Sequence, residues 1–105
     1  MRLGHQPPDH LLAPDEVVYC ETVDDQVFVY TGRAMYQTAL SLGELESRYG
    51  SLGFFRAGKS AVVNLHHIRS LESQGAGRIQ ATLATGEKLI VSRRYAPLLR
   101  ERLGL

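Results

Sequence analysis

Phe54-Phe55-Arg56-Ala57-Gly58-Lys59-Ser60-Ala61-Val62-Val63-Asn64-Leu65-His66-His67-Ile68 is the stretch on which the reading of this chain turns. Two strand-like runs, Phe54 to Arg56 and Ala61 to Val63, are separated by Gly58-Lys59-Ser60, a loop by composition. A basic residue, a hydroxyl and an amide thus stand at the ends of short apolar runs. A β framework presents polar side chains to a partner in this way, so function is expected near Lys59.

Working outward, the flanking segments repeat the pattern of short strands and turns. Val17 to Cys20, Val27 to Tyr30 and Met35 to Leu40 read as strands, joined by the turn chemistry of Asp24-Asp25 and of Thr31-Gly32-Arg33. Downstream, Ile68 to Leu71, Ile79 to Leu83 and Leu89 to Val91 continue as strands through Ser73 to Gly77 and Thr85-Gly86.

Two helices interrupt them. Ser41 and Glu44 form a capping box, Leu42, Leu45 and Tyr49 share one helical face, and Gly50 suits a left-handed stop. The second helix carries Leu98, Leu99, Arg102 and Leu103, with Ser92 near its start as a cap. Pro97 fits only a first turn, so this helix is expected to begin near Ala96. The class is mainly β, with short antiparallel sheets, one helix between strands and a short C-terminal helix.

The 105 residues allow one core. Met1 to Pro14, with Gly4, Pro7 and Pro8, reads as a flexible N-terminal arm or linker, and residues 15–105 as the domain. No apolar run reaches the roughly 18 residues that span a bilayer, and the first residues lack a secretory pattern, so the chain is expected in the cytoplasm without membrane insertion. Cys20 is the single cysteine; it reads as a small core residue.

The net charge of +1 hides an uneven distribution. Residues 1–55 carry three Arg against eight acidic residues, and residues 56–105 carry nine Lys and Arg against three Glu. The halves are therefore −5 and +6, which points to an anionic partner for the second half, or to two solvated faces of opposite sign.

From about Asp15 to Leu103 the chain resembles the LytTR-type DNA-binding domain of bacterial transcription regulators. The family pattern of Phe and Arg, then His-Arg/Lys-Ser, apolar residues and Asn is matched by Phe55-Arg56-Ala57-Gly58-Lys59-Ser60-Ala61-Val62-Val63-Asn64. A second signature is matched by Gly86 and Val91-Ser92-Arg93-Arg94-Tyr95. Gly58 departs from the pattern, standing where the family has His, which frees the loop and removes a ring.

The resemblance implies a module of small antiparallel sheets that inserts loops, rather than a recognition helix, into successive major grooves of double-stranded promoter DNA. It implies that Lys59 and Arg94 fall at base-contacting positions and that the turn at Asp25 and Gln26 is a third contact region. It also implies binding as a dimer or tandem pair on repeated half-sites. A receiver domain commonly precedes the module in response regulators of two-component systems. A chain of this length lacks room for one, which leaves an excised output domain or a stand-alone regulator under a partner protein.

The chemistry agrees. Arg94 is the better fork for guanine, Arg93 and Arg56 suit phosphate, and the hydroxyls of Ser60 and Ser92 can reach phosphate oxygens. Other roles stand beside these: Ser92 as helix cap, Ser60 as turn hydroxyl, Arg56 paired with a Glu on a neighbouring strand. Asn64 is assigned to holding a turn. His66-His67 point to opposite faces if they lie on a strand, so no metal or other cofactor is expected.

An enzyme is not expected, because neither Asp24-Asp25 nor a Ser60–His66–Asp grouping has a supporting motif. The alternative is a protein-interaction domain of the same fold with weakened DNA binding, favoured by Gly58 and the modest net charge.

Overall fold

The computed structural model describes residues 2–3 and 10–105. Of the expected arm, residues 1 and 4–9 lie outside the described residues. Its remainder contributes a two-stranded ribbon, β1 (Arg2–Leu3) against β2 (His10–Leu11), then buried Leu12 and a 3-10 turn at Pro14–Glu16.

The sequence then builds β3 (Val17–Val23), β4 (Gln26–Thr31), β5 (Met35–Thr38), α1 (Leu42–Tyr49), β6 (Phe54–Gly58), β7 (Ala61–Asn64), β8 (Ile68–Gly75), β9 (Arg78–Leu83), β10 (Lys88–Val91) and α2 (Ala96–Leu103). A five-stranded sheet runs β5-β4-β3-β7-β6 and a three-stranded sheet runs β10-β9-β8, each antiparallel throughout. Among the described residues no helix is long and apolar enough to cross a membrane.

Consecutive apolar residues explain the layering. Because successive strand side chains point to opposite faces, a pair such as Phe54-Phe55 supplies both sides of its sheet. Phe54, Val17 and Val62 enter one core with Cys20, Leu42 and Leu45, beneath α1. Phe55, Val18 and Val63 enter the other with Ile79, Leu83, Val91 and Leu99, beneath the three-stranded sheet and α2. The single core expected from length is thus two, one on each face of the five-stranded sheet, because its central strands are apolar on both sides; the sheet is the middle of three layers.

Hairpin chemistry sets the register. Asp24 and Asp25 both adopt positive φ, at 51° and 64°, as a two-residue turn of the primed type requires, and Val23 pairs with Gln26 across it. Tyr19 and Tyr30, opposite each other on β3 and β4, stack with centroids 4.3 Å apart and planes 4° from parallel.

The capping box forms as expected. The Ser41 hydroxyl accepts from the Glu44 amide and the Glu44 carboxylate accepts from the Ser41 amide, both at 3.1 Å. Three local expectations are corrected. Gly50 is right-handed (φ −57°, ψ −40°), and the chain continues through a 3-10 turn, Gly50–Leu52, to Gly53 at φ +111°. The β5 strand ends at Thr38, whose hydroxyl accepts from the Leu40 amide at 3.2 Å and turns the chain toward α1. Ser92 does not cap α2 with its side chain: its carbonyl accepts from the amides of Tyr95 and Ala96, and Tyr95 occupies the cap position. Pro97 lies in the first turn, where its missing amide leaves no helical bond unmade.

Candidate nucleic-acid interface

Two backbone hydrogen bonds gather the loops singled out by sequence at one end of the five-stranded sheet. The Thr22 amide donates to the Ser60 carbonyl at 2.9 Å, joining the tip between β6 and β7 to the end of β3. The Ser92 amide donates to the Ala57 carbonyl, also at 2.9 Å, joining the segment after β10 to β6. Gly58 packs beside Ser92, whose Cβ would lie 3.9 Å from a Cβ at residue 58. The Asp24-Asp25 turn, the Lys59-Ser60 tip and the Ser92–Tyr95 segment are thus neighbours, although up to 71 positions separate them in sequence.

A fourth element joins them that the sequence reading treated only as a connection. Gly77, in the turn between β8 and β9, has φ +78° and lies against the aliphatic part of Arg93. Its signal in the sequence was Gly75-Ala76-Gly77, where all three residues take positive φ.

Lys59, Arg93 and Arg94 are exposed, and among the described residues none has a carboxylate partner within salt-bridge distance. Arg94 is steadied instead by the Tyr95 ring, with its guanidinium carbon 5.4 Å from the centroid. Gln26 is exposed at the first position of β4, directly after the two aspartates. The hydroxyl of Ser60 makes no hydrogen bond among the described residues, and Ser92 is half-buried.

Arg56 sits differently. Its Nε donates to the Gly58 carbonyl at 2.7 Å and its Nη2 to the Lys59 carbonyl at 3.0 Å. Its carboxylate neighbour is Glu46, 3.8 Å away on α1, not a Glu on an adjacent strand. The reason is that α1 packs on β6 and so brings its own acid to the strand's side.

At the other end of β7, buried Asn64 holds the turn as expected. Its Nδ2 donates to the Val17 carbonyl at 2.8 Å and its Oδ1 accepts from the His66 amide at 3.0 Å. His67 Nε2 lies 2.6 Å from the Asp15 carbonyl. Both histidines belong to a 3-10 turn, Leu65–His67, rather than to a strand. Ser60 and His66 flank opposite ends of β7, a strand length of about 15 Å, far beyond hydrogen-bond reach. Burial pushes the Cys20 thiol up to about 12, which leaves it a packing residue.

The family described as the LytTr DNA-binding domain matches residues 9–104. The sensory transduction protein LytT of Bacillus cereus is 32% identical over 89 residues, covering 85% of this chain and 36% of that protein. LytT of Enterococcus faecalis is 24% identical over 96 residues, covering 91% of this chain and 40% of that protein. The chain therefore spans well under half the length of these relatives. A solved structure described as the LytTr DNA-binding domain of a methyl-accepting/DNA response regulator from Bacillus cereus superposes with a TM-score of 0.91. It is 25% identical and covers 100% of this chain and 96% of its own.

Proposed function

This chain belongs to the LytTR family of DNA-binding domains, and from that premise we propose that it reads promoter DNA sequence-specifically with the loop cluster at the end of the five-stranded sheet. The observation that carries the reading is the joining of three sequence-distant loops by the Thr22–Ser60 and Ser92–Ala57 hydrogen bonds. Loops tied to a sheet can enter a major groove without a recognition helix, and among the described residues no carboxylate pairs with Lys59, Arg93 or Arg94.

Within that cluster each side chain has a distinct task. Arg94, oriented by Tyr95, forks to guanine O6 and N7, and Lys59 donates to a neighbouring base edge. Gln26 can offer an amide pair to adenine N6 and N7. Arg93 and the hydroxyls of Ser60 and Ser92 take phosphate oxygens. Asp24 and Asp25 stand on the same end and repel phosphate, which confines that turn to base edges. Two copies bind repeated half-sites about one helical turn apart, as spacing on B-form DNA requires of a paired groove reader. A further domain or a partner protein supplies control.

Selection of bound sequences from a random duplex pool at two salt concentrations tests this function. Enrichment of a repeated motif, with affinity falling as salt rises, supports it. No enrichment at low salt refutes it and leaves the protein-interaction reading, which rests on Gly58 in place of the family His.

A further inference from the structure

We propose that Arg56 is a positioning residue that holds the Lys59-Ser60 tip in its DNA-ready shape instead of touching DNA. The proposal rests on the reading of that tip as a DNA contact. One guanidinium spans the bend, with Nε on the Gly58 carbonyl at 2.7 Å and Nη2 on the Lys59 carbonyl at 3.0 Å. The third nitrogen faces Glu46 of α1 at 3.8 Å. All three nitrogens are thus engaged inside the protein, and the Arg56 side chain is only 21% exposed.

The tip has a physical need for such a clasp. Gly58 has no side chain to stiffen it, and the pairing of β6 with β7 slips between Arg56 and Gly58. A loop left loose is ordered only on binding, and that ordering subtracts from affinity. A planar guanidinium fixes two acceptors in one plane, whereas a lysine ammonium at the same position is a point charge that cannot span both carbonyls. Glu46 offsets the cation on the protein side, so Arg56 adds little to phosphate neutralisation. Through it α1 braces the tip from the protein side without itself meeting DNA.

The test uses Arg56→Lys and Arg56→Gln, with two readouts. Amide hydrogen exchange at Lys59 and Ser60 is measured without DNA, and binding to the best duplex from the random pool is measured across salt concentrations. Both variants are expected to exchange faster at the tip, to bind about tenfold more weakly, and to keep the wild-type salt slope. Glu46→Gln, which leaves the backbone and core untouched, is expected to raise exchange at the same amides by a smaller factor.

Retention of affinity by Arg56→Lys, together with a salt slope shallower by about 0.9 in Arg56→Gln, would make Arg56 a phosphate contact and overturn the proposal. So would unchanged exchange in both Arg56 variants. Because exchange is read on the free protein, a wild type that binds no duplex defeats the DNA reading while the clasp is still decided separately.

Discussion

Gly77 and Arg93 are packed so closely that a Cβ on residue 77 would lie 2.7 Å from Arg93 Cγ. Residue 77 also holds φ at +78°, a conformation that costs a side-chain-bearing residue roughly 1 to 2 kcal/mol. The turn between β8 and β9 thereby fixes the path of a cation that comes from after β10.

Gly77→Ala is expected to destabilise the domain by at least about 1 kcal/mol and to displace Arg93. In binding assays the loss should be similar for all DNA sequences, since a phosphate contact carries no sequence information. Urea unfolding and titration of two unrelated duplexes check both halves; a loss confined to one sequence would place Arg93 among the base readers.

Arg94→Ala and Arg93→Ala should separate preference from affinity. Removing the Arg94 fork is expected to relax discrimination at one base pair by about 1 to 3 kcal/mol, while removing Arg93 weakens binding evenly and makes the salt slope shallower. Competition against single-base variants of the selected site measures this. Equal loss of preference in both variants would end the division of roles.

Asn64→Ala removes a buried amide that serves Val17 on one side and His66 on the other. The Val17 carbonyl is then left without that partner, and a cost of about 1 to 3 kcal/mol in urea unfolding follows. Since Asn64 lies at the end of β7 away from the loop cluster, affinity for DNA should change little at temperatures where the variant is folded.

Tyr19 and Tyr30 are both raised above the usual 10.0, first by burial, with Glu87 and Glu21 adding to the effect. For a phenol the raised value favours the neutral form in the fold, so the stability this contributes is complete below pH 10 and is lost as pH rises through the higher folded values. An absorbance titration should show Tyr19 and Tyr30 ionising at higher pH in the folded protein than in urea. Ionisation of both at the same pH in the fold as in urea would contradict the partial burial of the stacked pair.

The parts of the fold that depend on neighbours in sequence were legible beforehand. The Ser41–Glu44 capping box, the Asp24-Asp25 turn and the start of α2 near Pro97 all formed where their residues require. What depends on tertiary partners was not. Gly50 stays right-handed and Gly53 takes the left-handed conformation instead, seated against Asn64 and His66, where an added Cβ would lie 2.7 Å from His66 Cδ2. Likewise the sequence pointed Arg56 to a Glu on a neighbouring strand. The packing of α1 on β6 selects Glu46, and the bend at Gly58 brings two carbonyls to the guanidinium. Of the candidate site, the loops were visible in sequence; their gathering rests on Thr22 and Ala57, backbone groups that no side-chain pattern reveals.

The loop cluster, and neither helix, is the surface proposed to meet DNA. Amide chemical shifts of the folded chain, followed as the best duplex from the random pool is added, test it most directly. The largest changes are expected at residues 24–26, 58–60 and 92–95, with α1 and the outer face of α2 little moved. Changes centred on α1 or on exposed Leu98 and Leu105 of the C-terminal segment, with the loops silent, would contradict it.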